Sequence, residues 1–210
     1  MTVSRGIYLA YFFQGLIATN GIYAFIAGRY AEMFTAILMF GLTFVPYIVA
    51  ERYDIRFPWF LFMLIALSLW IHTAGYIHNY YVTFYPYYDK VAHLISGISV
   101  ALIGFLGVIF LDRYWRMNLT PLFVIGFTLI FGMALGAIWE IYEFLVDMVF
   151  RGSLAGPMQN DLYDTMIDMI FVLIGSAAVA ILGVVYFQWL SVDDIADSLD
   201  AQSDGPDEAA

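Results

Sequence analysis

The chain has no cysteine, so disulfides and thiolate metal ligands are excluded. Charge is scarce: 12% of its 210 residues carry it, against about a quarter in a soluble domain. Bases are scarcer still, with eight lysines and arginines against 18 acids, and the net charge of −10 argues against nucleic acid as a partner. The bases are seven arginines and one lysine, and arginine preference beside an acidic tail is a compositional trait of halophilic sources. There is no heptad pattern, no internal repeat and no tight metal signature such as His-Glu-x-x-His. No small-residue cleavage signal follows the first apolar stretch, so that stretch reads as a retained helix.

Apolar residues make up the balance: 63% are hydrophobic, 19% aromatic, and the mean hydropathy is +0.82. A water-soluble core of this length cannot hide so much apolar surface. A membrane-spanning helix needs roughly 20 mostly apolar residues. Six segments qualify, 7–28, 32–50, 59–80, 91–111, 120–150 and 165–189. The expected fold is therefore all-α, a polytopic transmembrane helical bundle of six spans within one domain, residues 1–190. Residues 191–210 hold seven acids and no base, and read as a solvated, disordered tail. Pro46 should kink the second span. Tyr80, Tyr81, Tyr85, Tyr87, Tyr88 and Trp59 fall near helix ends, as interfacial aromatic belts require. Gly97, Gly104, Gly107, Gly132 and Gly136 should let helices approach closely.

Basic residues of short loops tend to stay cytoplasmic. An inside N-terminus puts Arg5, Arg52, Arg56, Arg113 and Arg116 inside, and Arg29, Lys90 and Arg151 outside. The expectation is a multi-pass protein of the plasma membrane with both termini cytoplasmic.

Threading six helices gathers charge at one face, whichever way the chain is inserted. The third span ends there with His72 and His78, and the fourth begins there with Asp89, Lys90 and His93. The fifth ends there with Glu140, Glu143 and Asp147; Gln159 follows in the loop, and the sixth begins with Asp161, Asp164 and Asp168. Seven of the eleven acids outside the tail, and all three histidines, belong to this set. Glu140, Glu143 and Asp147 stand at i, i+3 and i+7, Asp161, Asp164 and Asp168 repeat the spacing, and Asp89 and His93 are i, i+4. Each trio shares one helical stripe, and charged stripes within spans turn inward. Simpler roles compete for single members. Asp161 and Asp164 suit the first turn of the last helix, Asp89, Asp147 and Asp161 could be wet headgroup-level acids, and His72 and His78 do not share a helix face.

Two like charges 4 Å apart repel by about 4 kcal/mol at an effective dielectric of 20. A divalent cation, shared protons, or pairing with Lys90, Arg151 and Arg29 would relieve this. As metal ligands the candidates are His93, Asp89, Glu140, Glu143, Asp164 and Asp168, a mixed set suited to Zn, Mn or Fe, or to Mg or Ca if only oxygens bind. Glu140, Glu143 and Asp168 are the catalytic candidates, one serving as general base beside a metal that activates water. Lys90, Arg151 and Gln159 are the substrate-binding candidates, the substrate being a membrane lipid or envelope component. Proton- or cation-coupled transport competes with this enzyme reading, as does non-catalytic binding of a lipid or antibiotic. Whether the chain is an enzyme, and whether it is a homo-oligomer, stay open.

The stretch Tyr88-Asp89-Lys90-Val91-Ala92-His93-Leu94-Ile95-Ser96-Gly97 resembles a segment of the YjdF-like family of membrane proteins. So do Trp139-Glu140-Ile141-Tyr142-Glu143-Phe144, the run Gln159 to Asp168, and Gly175. A looser version of the pattern is similar to VanZ-like proteins, which are linked to glycopeptide resistance and carry Asn near the place of Val172. The resemblance implies a polytopic membrane protein whose shared residues are those that charge alone singles out, and it names no reaction.

Overall fold

A computed structural model of the chain describes residues 6–53, 55–150, 158–159 and 161–189. Arg151 and the acidic tail lie outside the described residues. In chain order the helices are α1 (Ile7–Ile26), α2 (Tyr30–Leu42), α3 (Val45–Tyr53), α4 (Trp59–Ile77), α5 (Tyr80–Thr83), α6 (Tyr87–Trp115), α7 (Pro121–Val149) and α8 (Leu162–Trp189). No strand occurs among the described residues. Six spans are long and apolar enough to cross a membrane, α2 and α3 forming one of them between Tyr30 and Tyr53. The architecture is an all-α polytopic bundle.

Two of the departures from the expected spans have a clear local reason. Pro46 cannot donate to the Leu42 carbonyl, so the second span breaks at Thr43–Phe44, before the proline, with the Thr43 hydroxyl donating to the Phe40 carbonyl at 2.6 Å. The fourth span starts at Tyr87 rather than at residue 91, directly after Pro86. The extra turn brings Asp89 and Lys90 into the helix, on the same end as His93.

Helices α6, α7 and α8 pack against one another, α1 packs on α2 and α4, and the α4–α6 contact joins the two groups. Large apolar side chains such as Ile26, Leu122, Ile130 and Leu182 face outward, while Glu32, His72, His93, Glu140, Glu143, Asp164 and Asp168 are buried. That inversion suits a bundle wrapped in lipid, where outward hydrocarbon costs nothing and inward polar groups find partners.

A close approach of two backbones sets the register of α6 against α8. A methyl group at Gly97 would stand 2.7 Å from the Val172 carbonyl oxygen, and one at Gly175 would stand 2.7 Å from the Leu94 carbonyl oxygen. The two backbones touch there, and only glycine fits. Gly136 of α7 faces the Val172 side chain at the same level. One turn from this level lie His93 (97 − 4), Asp168 (172 − 4) and Glu140 (136 + 4); a further turn brings Asp89, Lys90, Asp164 and Glu143. Packing of small residues thus stacks the charged residues of three helices at one depth.

Gly97→Ala should overpack this crossing at a cost of about 1–3 kcal/mol, lowering the melting temperature in detergent by roughly 2–10 °C. Gly107→Ala, whose new methyl would meet nothing within 4 Å, should leave it unchanged or slightly raised. Equal melting temperatures for the two variants would contradict the proposed crossing.

Candidate functional site

The charged cluster is built at the end of the bundle where α4 finishes, α6 starts, α7 finishes and α8 starts. Lys90 lies at its centre. Its ammonium donates to Asp89 Oδ2 at 3.1 Å, Asp164 Oδ1 at 2.5 Å and Asp168 Oδ1 at 2.8 Å. An ammonium has three N–H donors, and all three are used on carboxylates from α6 and α8.

His93 is buried beside this group. Its Nε2 lies 3.3 Å from Asp89 Oδ1 and its Nδ1 3.7 Å from Glu140 Oε1. Neither approach is a hydrogen bond, and both His93 Nε2 and Glu140 Oε1 are buried without a hydrogen-bond partner. Buried polar atoms are nearly always satisfied, so each of these two, one on either side of the His93 ring, marks a place where a cation or proton is expected. The other Glu140 oxygen accepts from the Gln159 side-chain amide at 2.9 Å.

The far wall is formed by His72, Glu143 and Trp139. The His72 ring lies edge-on to His93 at 5.2 Å between centroids and tilted on Trp139 at 4.4 Å. Trp139 Nε1 donates to Glu143 Oε1 at 2.8 Å. His72 Nδ1 meets the Tyr81 hydroxyl at 2.7 Å, and Nε2 meets the Ser96 hydroxyl at 3.0 Å. Ser96 also meets the Ser68 hydroxyl at 2.7 Å. If Nδ1–H donates to Tyr81, the Nε2 lone pair is free to bind a metal once Ser96 turns to Ser68 alone. A second-layer partner on the opposite ring nitrogen is usual for ligating histidines. Tyr81 sits on α5, outside the spans. Desolvation first, then the charges of Glu143 and Asp89, push its phenol well above the ordinary value, so it stays neutral at physiological pH.

Two groups of three could hold a cation: His72, His93 and Glu143, all buried, and Asp89, His93 and Asp168. In each, one ligand atom per residue lies within 4.8 Å of the others. Asp89, Glu140, Glu143, Asp164 and Asp168 outnumber Lys90 and His93, so a cation or shared protons must balance the cluster.

Several residues singled out by sequence have other duties. Asp161 is exposed and caps α8, accepting from the Asp164 backbone N–H at 2.9 Å. Asp147 closes the chain after α7 by accepting from the backbone N–H groups of Met158 and Gln159 at 2.8 and 2.9 Å. His78 is exposed and meets Asn20 Oδ1 at 3.0 Å, apart from the cluster. Arg29 is tied to Glu32 at 2.8 Å and to the Ile77 carbonyl at 2.7 Å, so it does not neutralise the site. Arg151 lies outside the described residues. Conversely, Tyr81, Trp139, Ser96 and Ser68 belong to the site and were not among the sequence candidates. A hint existed for three of them: Ser96 is three residues after His93, Trp139 four before Glu143, and Ser68 four before His72.

Residues 8–189 match the model of a family described as predicted membrane proteins (DUF2238). The chain belongs to that family. It is similar to an uncharacterised protein of Thermotoga maritima, 24% identical over 169 residues that cover 79% of this chain and 84% of that protein. No solved structure matches. The chain is thus an integral membrane protein of a family whose description names no activity, and every site residue lies inside the matched region.

Proposed function

We propose that the protein holds a divalent cation at His72, His93 and Glu143, and uses it to recognise or hydrolyse a lipid or other envelope component at the outer face of the plasma membrane. One observation carries the reading: three buried side chains from α4, α6 and α7 converge with their ligand atoms within 4.8 Å of one another. The buried Glu140 Oε1, which has no hydrogen-bond partner and faces His93 Nδ1, agrees with it. Two imidazoles and a carboxylate suit Zn, Mn or Fe better than Mg or Ca. Such an ion, when bound, polarises a phosphoryl or acyl oxygen and acidifies water.

Within this reading the residues divide the work. Glu140, with one oxygen held by Gln159 and the other free of hydrogen bonds, is the best-placed general base. Asp168, bound to the Lys90 ammonium, is less suited to that role. Lys90 is engaged by three acids, which leaves Arg151 and Gln159 as the candidates for holding an anionic headgroup. The finer likeness to YjdF-like proteins, and the looser one to VanZ-like proteins, belongs to this reading and rests on the Asp89, Lys90, His93, Glu140, Glu143, Gln159, Asp164 and Asp168 pattern.

Proton- or cation-coupled transport is the second reading. Its support is the hydroxyl row that continues from His72 toward the opposite face: Ser96, Ser68, and then Ser99, which donates to the Leu64 and Ile95 carbonyls.

Metal content by mass spectrometry on detergent-purified protein without a histidine tag separates the two. The metal reading expects close to one ion per wild-type chain and a loss of roughly tenfold or more in folded His93→Ala and Glu143→Gln. Wild type that stays metal-free after reloading with Zn, Mn, Fe, Mg and Ca would sink it and leave transport in front. Orientation has its own test: a reporter fused after Ala210 should be cytoplasmic, and an extracytoplasmic signal would reverse the assignment of faces.

A further inference from the structure

We infer that the Lys90 ammonium occupies the second position of what would otherwise be a two-cation site sharing His93. The inference deepens the metal reading above for the first position and stands on separate observations for the second.

The two groups of potential ligands have one member in common, His93. Its Nε2 lies toward Asp89 of the second group, and its Nδ1 toward Glu140, the residue one turn before Glu143 on α7. The Asp89 side is a built site rather than a patch of acids. Helix α6 contributes Asp89, and α8 contributes Asp164 and Asp168 one turn apart. Their side chains are only 15%, 9% and 3% exposed. His93, 2% exposed, aims an unpartnered Nε2 into the same place. Three carboxylates and an imidazole are a donor set for Mn, Fe or Zn.

Lys90 fills that place from within the chain. Its neighbour Asp89 turns one oxygen, Oδ2, to the ammonium and the other, Oδ1, to His93. Asp164 and Asp168 complete three contacts of 2.5–3.1 Å around the nitrogen. A lysine ammonium is a compact point charge with three donors, so here it does what a metal ion would do: it gathers acids from two helices around one centre. It supplies one charge instead of two and cannot be lost to a chelator. The consequence is stoichiometry: the native chain takes a single divalent ion, on the His72 side of His93, and removing the Lys90 charge opens a second position for Asp89, Asp164 and Asp168 to fill, with His93 joining them by releasing its remaining N–H proton to solvent and bridging the two ions as an imidazolate.

The experiment is metal titration of full-length, detergent-purified protein with Zn²⁺ and Mn²⁺, counting bound equivalents in wild type, Lys90→Gln, Lys90→Arg and the double variant Lys90→Gln/Asp168→Asn. Lys90→Gln should bind one equivalent more than wild type, while Lys90→Arg, which keeps the charge, and the double variant should not gain it. If Lys90→Gln does not fold in chelated buffer, recovery of a cooperative melt on adding either ion supports the inference, and failure to recover overturns it. A count unchanged from wild type in folded Lys90→Gln overturns it too, and leaves the first position standing if wild type holds one ion. A wild type with none and a Lys90→Gln variant with one supports the second position while sinking the metal reading above.

Discussion

A charged side chain among hydrocarbon is tolerated only where the bundle gives it a partner or water, and the arrangement of α6, α7 and α8 follows from that constraint. Asp164 and Asp168 sit in the first two turns of a spanning helix, and they are held there by a lysine on another helix. The contact is possible because Gly97 and Gly175 let α6 and α8 touch backbone to backbone one turn farther in. Packing of small residues and pairing of charges therefore depend on each other: the crossing sets the register, and the register brings the ammonium to its acids. Helix α7 joins through Gly136 on Val172, which puts Glu140 beside His93. The cluster is thus a product of the same contacts that hold the three helices together.

Much of this was legible in the sequence, for reasons that can be named residue by residue. Runs of apolar residues announced six spans, and connectivity alone placed their charged ends at one face. Helical spacing put Glu140 with Glu143 and Asp164 with Asp168 on common stripes, and these four are buried. Spacing does not report depth, however. Asp147 and Asp161 fit the same stripes, yet lie one turn nearer the surface, where backbone N–H groups claim them. His72 was placed at that face but not among the ligand candidates, because the partners that make it part of the site come from elsewhere in the chain: Tyr81 on α5, Ser96 on α6 and Trp139 on α7. Lys90 was read both as a partner for the carboxylates and as a candidate to hold an anionic substrate, and the first is what the structure shows. Its three acids include two that follow it by more than seventy residues, and no local pattern could assign them to it.

Membership in a family of predicted membrane proteins covers all of these residues without naming their use. The chemistry must then be argued from the site itself. Its outstanding feature is asymmetry around His93. On one side an ammonium binds three carboxylates; on the other, His72, Glu143 and Glu140 converge, with Glu140 Oε1 left without a hydrogen bond. One side is already filled by a cation of the chain's own, the Lys90 ammonium. Under the metal reading proposed above, a single imidazole separates the side that Lys90 fills from the side that would take the ion.

The most direct test of that account is an X-ray absorption spectrum at the zinc edge of Zn-loaded wild-type protein. Zinc held by His72, His93 and Glu143 should show two imidazole rings by their outer-shell scattering, with nitrogen and oxygen ligands at about 2.0–2.2 Å. A spectrum with oxygen ligands alone, or with no imidazole contribution, would contradict a metal centre on the His72 side of His93.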